Sequence, residues 1–121
     1  MGSTKQIPRD DWQRYFEELD RRHFGLGSSA TATIELISPE LGDEPEATRV
    51  PLIGLDYDAK DNALEVALDG IDQLVFEPEE IWVVEEEDGF VSALEVKQPD
   101  GSREIMRIER SGAEASPSVT A

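Results

Sequence analysis

Residues 81–109 read IWVVEEEDGFVSALEVKQPDGSREIMRIE, and this stretch decides the fold. Two turn signals divide it into three runs. Glu87-Asp88-Gly89 separates Ile81–Glu86 from Phe90–Lys97, and Pro99-Asp100-Gly101 separates that run from Ser102–Glu109. Both turns put Gly where a positive φ is needed, and Pro99 presets its own backbone angle. Ile81–Val84 is apolar on both faces, which predicts a central strand covered on one side by the N-terminal helix. Consecutive antiparallel hairpins therefore set the class.

Toward the N-terminus the period-two pattern continues. Leu74–Phe76 is a short apolar piece broken by Pro78. Leu64, Val66 and Leu68 line one face of a strand. Thr48–Tyr57 reads as another, with Pro51 marking an edge or bulge and Gly54 a bend or a close backbone approach. Thr31–Ser38 alternates through Ala32, Ile34 and Leu36. The intervening Pro39–Ala47, rich in acids, Gly and Pro, reads as a loop.

Before residue 31 the period changes. Trp12, Tyr15, Phe16, Leu19 and His23 share one face of a helix over residues 8–24. Pro8 suits the first turn, Asp10 and Asp11 the positive end of the dipole, and Arg21 and Arg22 the negative end. Gly25 is the natural terminator. A helix of this length is marginal alone, so its aromatic face must dock on the sheet. The expected class is α+β, mainly β: an N-terminal amphipathic helix packed on a curved antiparallel meander of five to seven strands. Such a meander curls into a small barrel or half-barrel, with an open sheet as the rival. Residues 1–6 are expected to be flexible, 7–110 to form one domain, and 111–121 to be a disordered tail.

The 121 residues are the size of one domain, and the formal net charge is -17. Five bases and five acids balance within residues 1–25, so the β portion carries the whole excess. Such a field repels nucleic acid and anionic lipid and favours a basic protein partner or divalent ions. It also serves simple solubility, and the scarcity of lysine fits a salt-adapted host. Cysteine is absent, which excludes disulfides, zinc–thiolate sites and thiol nucleophiles. No apolar run spans a bilayer and the first residues lack a secretory pattern, so a cytoplasmic protein with no membrane role is expected.

Candidate chemistry is sparse. Asp56, Asp58 and Asp61 superficially resemble a calcium loop. The key positions that should hold an oxygen ligand, Gly and Glu are Lys60, Asp61 and Ala67, so a turn bonded to its own side chains is the simpler reading. Glu79, Glu80, Glu85, Glu86, Glu87 and Asp88 form an acidic set able to meet a partner, although acids adjacent on a strand point to alternate faces. His23, the sole histidine, has no partner motif for a triad and suits a helix end. The aromatics read as core. No catalytic residue, cofactor or firm metal site is expected, and monomer and homodimer both stay open.

The chain resembles the bacterial proteins grouped as domain of unknown function 5335. The likeness rests on Ile7-Pro8-Arg9-Asp10-Asp11-Trp12, Glu40-Leu41-Gly42-Asp43, Pro51 through Asp58, Leu64-Glu65-Val66-Ala67-Leu68, Pro78-Glu79-Glu80-Ile81, and Ala93 through Val96 to Asp100-Gly101. It spans about residues 7–110 and implies no activity or catalytic residue. The function expected is a small acidic interaction or regulatory module without catalysis. The alternative is a weak divalent-cation binder or a carboxylate-dependent enzyme.

Overall fold

In a computed structural model, residues 2–24, 30–40 and 42–110 can be described. Gly25 as helix terminator and the tail at 111–121 lie outside the described residues. In chain order the elements are β1 (Ser3–Ile7), a 3-10 turn (Arg9–Asp11), α1 (Trp12–Leu19) and a π-turn (Asp20–Phe24). The strands β2 (Ala30–Ser38), β3 (Gly42–Asp58), β4 (Ala63–Leu68) and β5 (Ile71–Phe76) follow. The last are β6 (Glu80–Glu85), β7 (Val91–Lys97) and β8 (Arg103–Arg110).

The strands form one antiparallel sheet of eight in the order β1-β6-β7-β8-β2-β3-β4-β5. β1 and β5 are its two edges and do not pair, so the sheet is open. This corrects the expected five to seven strands and the barrel. The extra strand comes from the N-terminus. Ser3–Gln6, expected to be loose, pairs together with Ile7 residue by residue with Ile81–Glu85. It is held by backbone bonds, and only Ile7 is buried. The loop expected at Pro39–Ala47 is likewise mostly strand, because Gly42–Ala47 pairs with Ile34–Ser38.

Both hairpins form as the sequence indicates, with Gly89 at φ +91° and Gly101 at φ +89°. The strand order departs from a simple meander after β5. Only three residues link β5 to β6, yet the two strands do not pair. Three residues reach ~10 Å, about the separation of two packed sheet layers, so this link turns a corner between layers. Glu77 at the corner has φ +53°. Accordingly Leu64, Val66 and Val75 share one core with Ile81, Val83, Leu94 and Val96. Each such buried apolar side chain contributes ~1.5–3 kcal/mol.

β3 serves two partners. Its first part, to Pro51, pairs with β2, and Leu52–Asp58 pairs with β4. Irregular register separates the two, with Arg49 at φ +51° and a shift between Leu52 and Gly54, the region where Pro51 and Gly54 signal a break. Beyond Pro51 one edge of β3 has no neighbouring strand. The helix lies there. Asp20 Oδ1 accepts a hydrogen bond from Leu55 N at 3.0 Å, replacing a missing strand partner. A Cβ on Gly54 would stand 2.8 Å from that oxygen, so glycine permits the approach.

The helix buries Trp12, Phe16 and Leu19, and Trp12 meets Tyr57 edge-on at 5.2 Å between ring centres. Its last turn is a π-turn, in which residues i and i+5 stack. That spacing brings Phe24 into the core beneath Leu19 and leaves His23 half-buried at the core margin, which a uniform 3.6-residue period does not anticipate. Among the described residues no helix is long and apolar enough to cross a membrane.

Candidate functional site

Two regions stand out: the outer face of β3–β4–β5, and a cleft beside the helix. On β4 and β5 strict alternation turns Leu64, Val66 and Val75 inward and Glu65 and Leu74 outward. Asp56 stands directly opposite Glu65, and Glu65 opposite Leu74. Asp58 and Phe76 lie in the next row, flanking Ala63. β5 is an edge strand, yet Ile71, Leu74 and Phe76 are 62, 45 and 53 % exposed. Such side chains on an open edge are the surface that folded proteins ordinarily cover.

The carboxylates of this face lack bases. Asp56, Asp58, Glu65 and Asp72 take part in no salt bridge among the described residues. Burial, then the charges of Glu17, Asp20 and Asp58, push the Asp56 carboxyl above its usual range. Glu65 is pushed up in the same direction by burial and then by Asp72. Like charges facing each other across strands destabilise a sheet, so this face carries repulsion that a cationic partner would relieve.

Asp58 also organises the β3–β4 turn. Its Oδ1 accepts from Lys60 N at 2.9 Å, and the Tyr57 hydroxyl donates to Asn62 Oδ1 at 2.6 Å. The turn is thus tied to its own side chains. Asp56, Asp58 and Asp61 do not converge, and among the described residues no three His, Asp or Glu side chains gather so as to hold a metal ion.

The acids of residues 79–88 are dispersed as their alternation requires. Glu80 accepts from Trp82 Nε1 at 3.0 Å and pairs with Lys97, and these contacts, that of Trp82 first, hold its carboxyl below the usual range. Glu85 accepts from the Tyr15 hydroxyl at 2.5 Å and from Lys5 Nζ at 3.2 Å. Glu86 accepts from Ser92 Oγ. Asp88 binds Arg110 through both oxygens, at 2.8 and 2.7 Å, which depresses its carboxyl. Glu79 and Glu87 are exposed. Most of this set is therefore engaged within the chain.

The cleft has a volume of about 340 Å³ and lies between the helix and the β6–β7 turn, with Tyr15, Arg22, His23, Glu85 and Gly89 among its walls. Burial, then the Glu85 bond and charge, push the Tyr15 phenol far above its ordinary range, so it acts as a donor and not as a base. His23 meets Phe90 edge-on at 5.5 Å, and its Nε2 is buried without a hydrogen-bond partner among the described residues. It stands among the bases of the last turn, where the sequence places it. Local patterning places Tyr15 on the helix face and Arg22 near its end, but it does not connect Tyr15 to Glu85, 70 residues away.

A further buried acid was not legible either. Glu104 lies on the core face of β8, in line with Met106 and Ile108, and its Oε1 has no partner. Burial, then the charge and hydrogen bond of Glu46, push its carboxyl up to about 7.

The model of the family of unknown function DUF5335 matches residues 3–117, and the chain belongs to that family. Over 108 residues it is 37 % identical to an uncharacterized protein of Aquifex aeolicus (strain VF5), covering 88 % of this chain and 93 % of that one. No solved structure matches.

Proposed function

We propose that this member of the DUF5335 family is a small acidic interaction module of the cytoplasm, without catalytic activity. It takes up an extended, basic and apolar segment of a partner protein along β5. The observation that carries this reading is the exposure of Ile71, Leu74 and Phe76 on an edge strand beside carboxylates that have no base. Strand addition supplies main-chain hydrogen bonds, and alternate side chains supply specificity. Leu74 and Phe76 receive apolar side chains. Asp56, Glu65 and Asp72 select lysine or arginine between them. A second copy of this chain is a poor occupant, because it would set Asp72 and its neighbours against the same acids.

The test uses three labelled ten-residue peptides: alternating Lys and Val, the same composition scrambled, and alternating Glu and Val. The alternating Lys–Val peptide is expected to bind at tens of micromolar and to shift the amide resonances of Ile71–Phe76. Leu74→Lys should weaken it at least tenfold. Equal binding of the scrambled peptide, or shifts confined to the β1 edge, overturns the reading. So does a stable dimer through β5 in sedimentation.

A further inference from the structure

We propose that the cleft beside the helix binds a small oxyanion, a carboxylate or phosphate group, held between the Arg22 guanidinium and the His23 imidazole. A buried ring nitrogen without a partner forfeits ~1–3 kcal/mol, and native structures rarely leave one so. His23 Nε2 is in that state. Its surroundings show where a partner would stand. A Cβ built on Gly89 would lie 3.8 Å from His23 Nε2 and 3.5 Å from Arg22 Nη1. The two nitrogens therefore converge on the space that a side chain at position 89 would occupy. Gly89 leaves that space open.

Arg22 is the unspent base of the region. Arg14 pairs with Asp11 at 2.6 Å, Lys5 with Glu85 at 3.2 Å, and Arg110 with Asp88 at 2.7 Å. Glu18 is claimed by Arg21 at 2.6 Å, which leaves Arg22 a contact of 3.9 Å. The cleft walls carry two bases, Arg14 and Arg22, against two acids, Glu18 and Glu85, and so balance locally in a chain whose net charge is -17. An anion meets less repulsion here than on the β3–β4–β5 face, whose acids pair with no base among the described residues. The ligand must be small. The volume of about 340 Å³ lies at the low end for a small-molecule pocket, and Glu18 and Glu85 among the walls oppose a second anionic group. Those carboxylates can accept from a hydroxyl or ammonium on the same ligand. Neutral His23 with its proton on Nε2, or imidazolium, would donate to the oxyanion, and Arg22 would add a charge-assisted bond.

His23 is the sole histidine, so its ring proton gives one proton resonance that reports the site directly. Inorganic phosphate, and separately acetate, are titrated at fixed pH, with ionic strength held by sodium chloride. The expected result is a saturable shift with half-saturation in the low millimolar range or tighter. Saturation by phosphate alone assigns a phosphate group, by acetate alone a carboxylate, and by both either group. Arg22→Gln, at an exposed position, should weaken binding at least tenfold with an unchanged melting temperature. His23→Phe keeps a ring against Phe90 and should abolish the phosphate-dependent shift of the Gly89 amide. A linear, unsaturable drift with both anions, or the same saturation in Arg22→Gln, overturns the proposal. The peptide experiment on β5 reads a different surface, so the two can fail separately.

Discussion

Replacing Glu104 by Gln is expected to make the protein more stable at alkaline pH and to leave it unchanged in acid. The carboxyl is 8 % exposed, and its folded value of about 7 exceeds the ordinary 4.5. Between those values the folded chain keeps a proton that the unfolded chain has released. The unfolding free energy therefore falls as pH rises through this window, and the loss is complete above 7. The full difference corresponds to about 3 kcal/mol at 1.36 kcal/mol per pH unit. Its neighbour Glu46 is exposed, so solvent screens part of the repulsion and about 1–2 kcal/mol is the expected loss. Gln preserves shape and hydrogen-bonding capacity without the charge. Urea unfolding, followed by the fluorescence of buried Trp12, compares the two chains from pH 4.5 to 8.5. They should agree within about 0.5 kcal/mol at pH 4.5. At pH 8.5 the variant should lead by about 1–2 kcal/mol, or ~4–10 °C in melting temperature. Using the difference cancels the repulsion common to both chains. A gap that does not change with pH would refute the burial argument.

Two further outcomes follow from the outer face and the helix. Asp20→Ala deprives Leu55 N of its acceptor and should cost ~1–2 kcal/mol, whereas Asp20→Asn, which keeps an acceptor oxygen, should stay within about 0.5. Gly54→Ala pushes on the same carboxylate at a cost of ~1–3 kcal/mol, and combining it with Asp20→Ala should cost less than the two separately, which urea melts would show. Glu65→Lys puts a cation opposite Asp56 and should add about 0.5–1 kcal/mol at low salt. That gain should shrink in ~0.5 M sodium chloride, and a gain indifferent to salt would count against the repulsion inferred for this face.

The parts of the fold that were legible in the sequence are those where burial writes a period. Trp12, Phe16 and Leu19 mark the helix, and Leu64, Val66 and Leu68 mark β4, because one face of each is inside. Pairing without burial leaves no such mark. Ser3–Gln6 and Gly42–Glu46 are strands by backbone bonding alone, with exposed side chains, so their residues look like those of loops. The π-turn is invisible for a related reason, since one displaced residue leaves His23 at the core margin and brings in Phe24 without altering composition. Glu104 sits in a β8 pattern of Met106 and Ile108 that would ordinarily demand an apolar residue. Its deviation from alternation was a signal, but a single acid at a strand end is also what an exposed terminus shows. Glu46 on β3 is the neighbour that gives it meaning, and no local pattern connects the two.

The charge of the molecule divides along the same lines as its two surfaces. Around the helix Asp11, Glu18, Glu85 and Asp88 are each paired with a base, so part of the repulsion there is cancelled, and Arg22 keeps only a long contact with Glu18. On β3–β4–β5 no base answers Asp56, Asp58, Glu65 or Asp72, and the apolar edge lies among them. An exposed apolar edge with neutral surroundings would recruit its own kind and aggregate. The acids change that balance, because two β5 edges brought together would oppose like charges across the new strand pair. The same charges leave attraction intact for a cationic segment. Selectivity on this face therefore comes from rejection of self as much as from attraction of a partner. If screening by salt promotes self-association through β5 while it weakens the basic peptide, both effects have one source in those carboxylates. If salt weakens the peptide but leaves the chain monomeric at high concentration, the backbone edge itself, and not its charge, keeps copies apart.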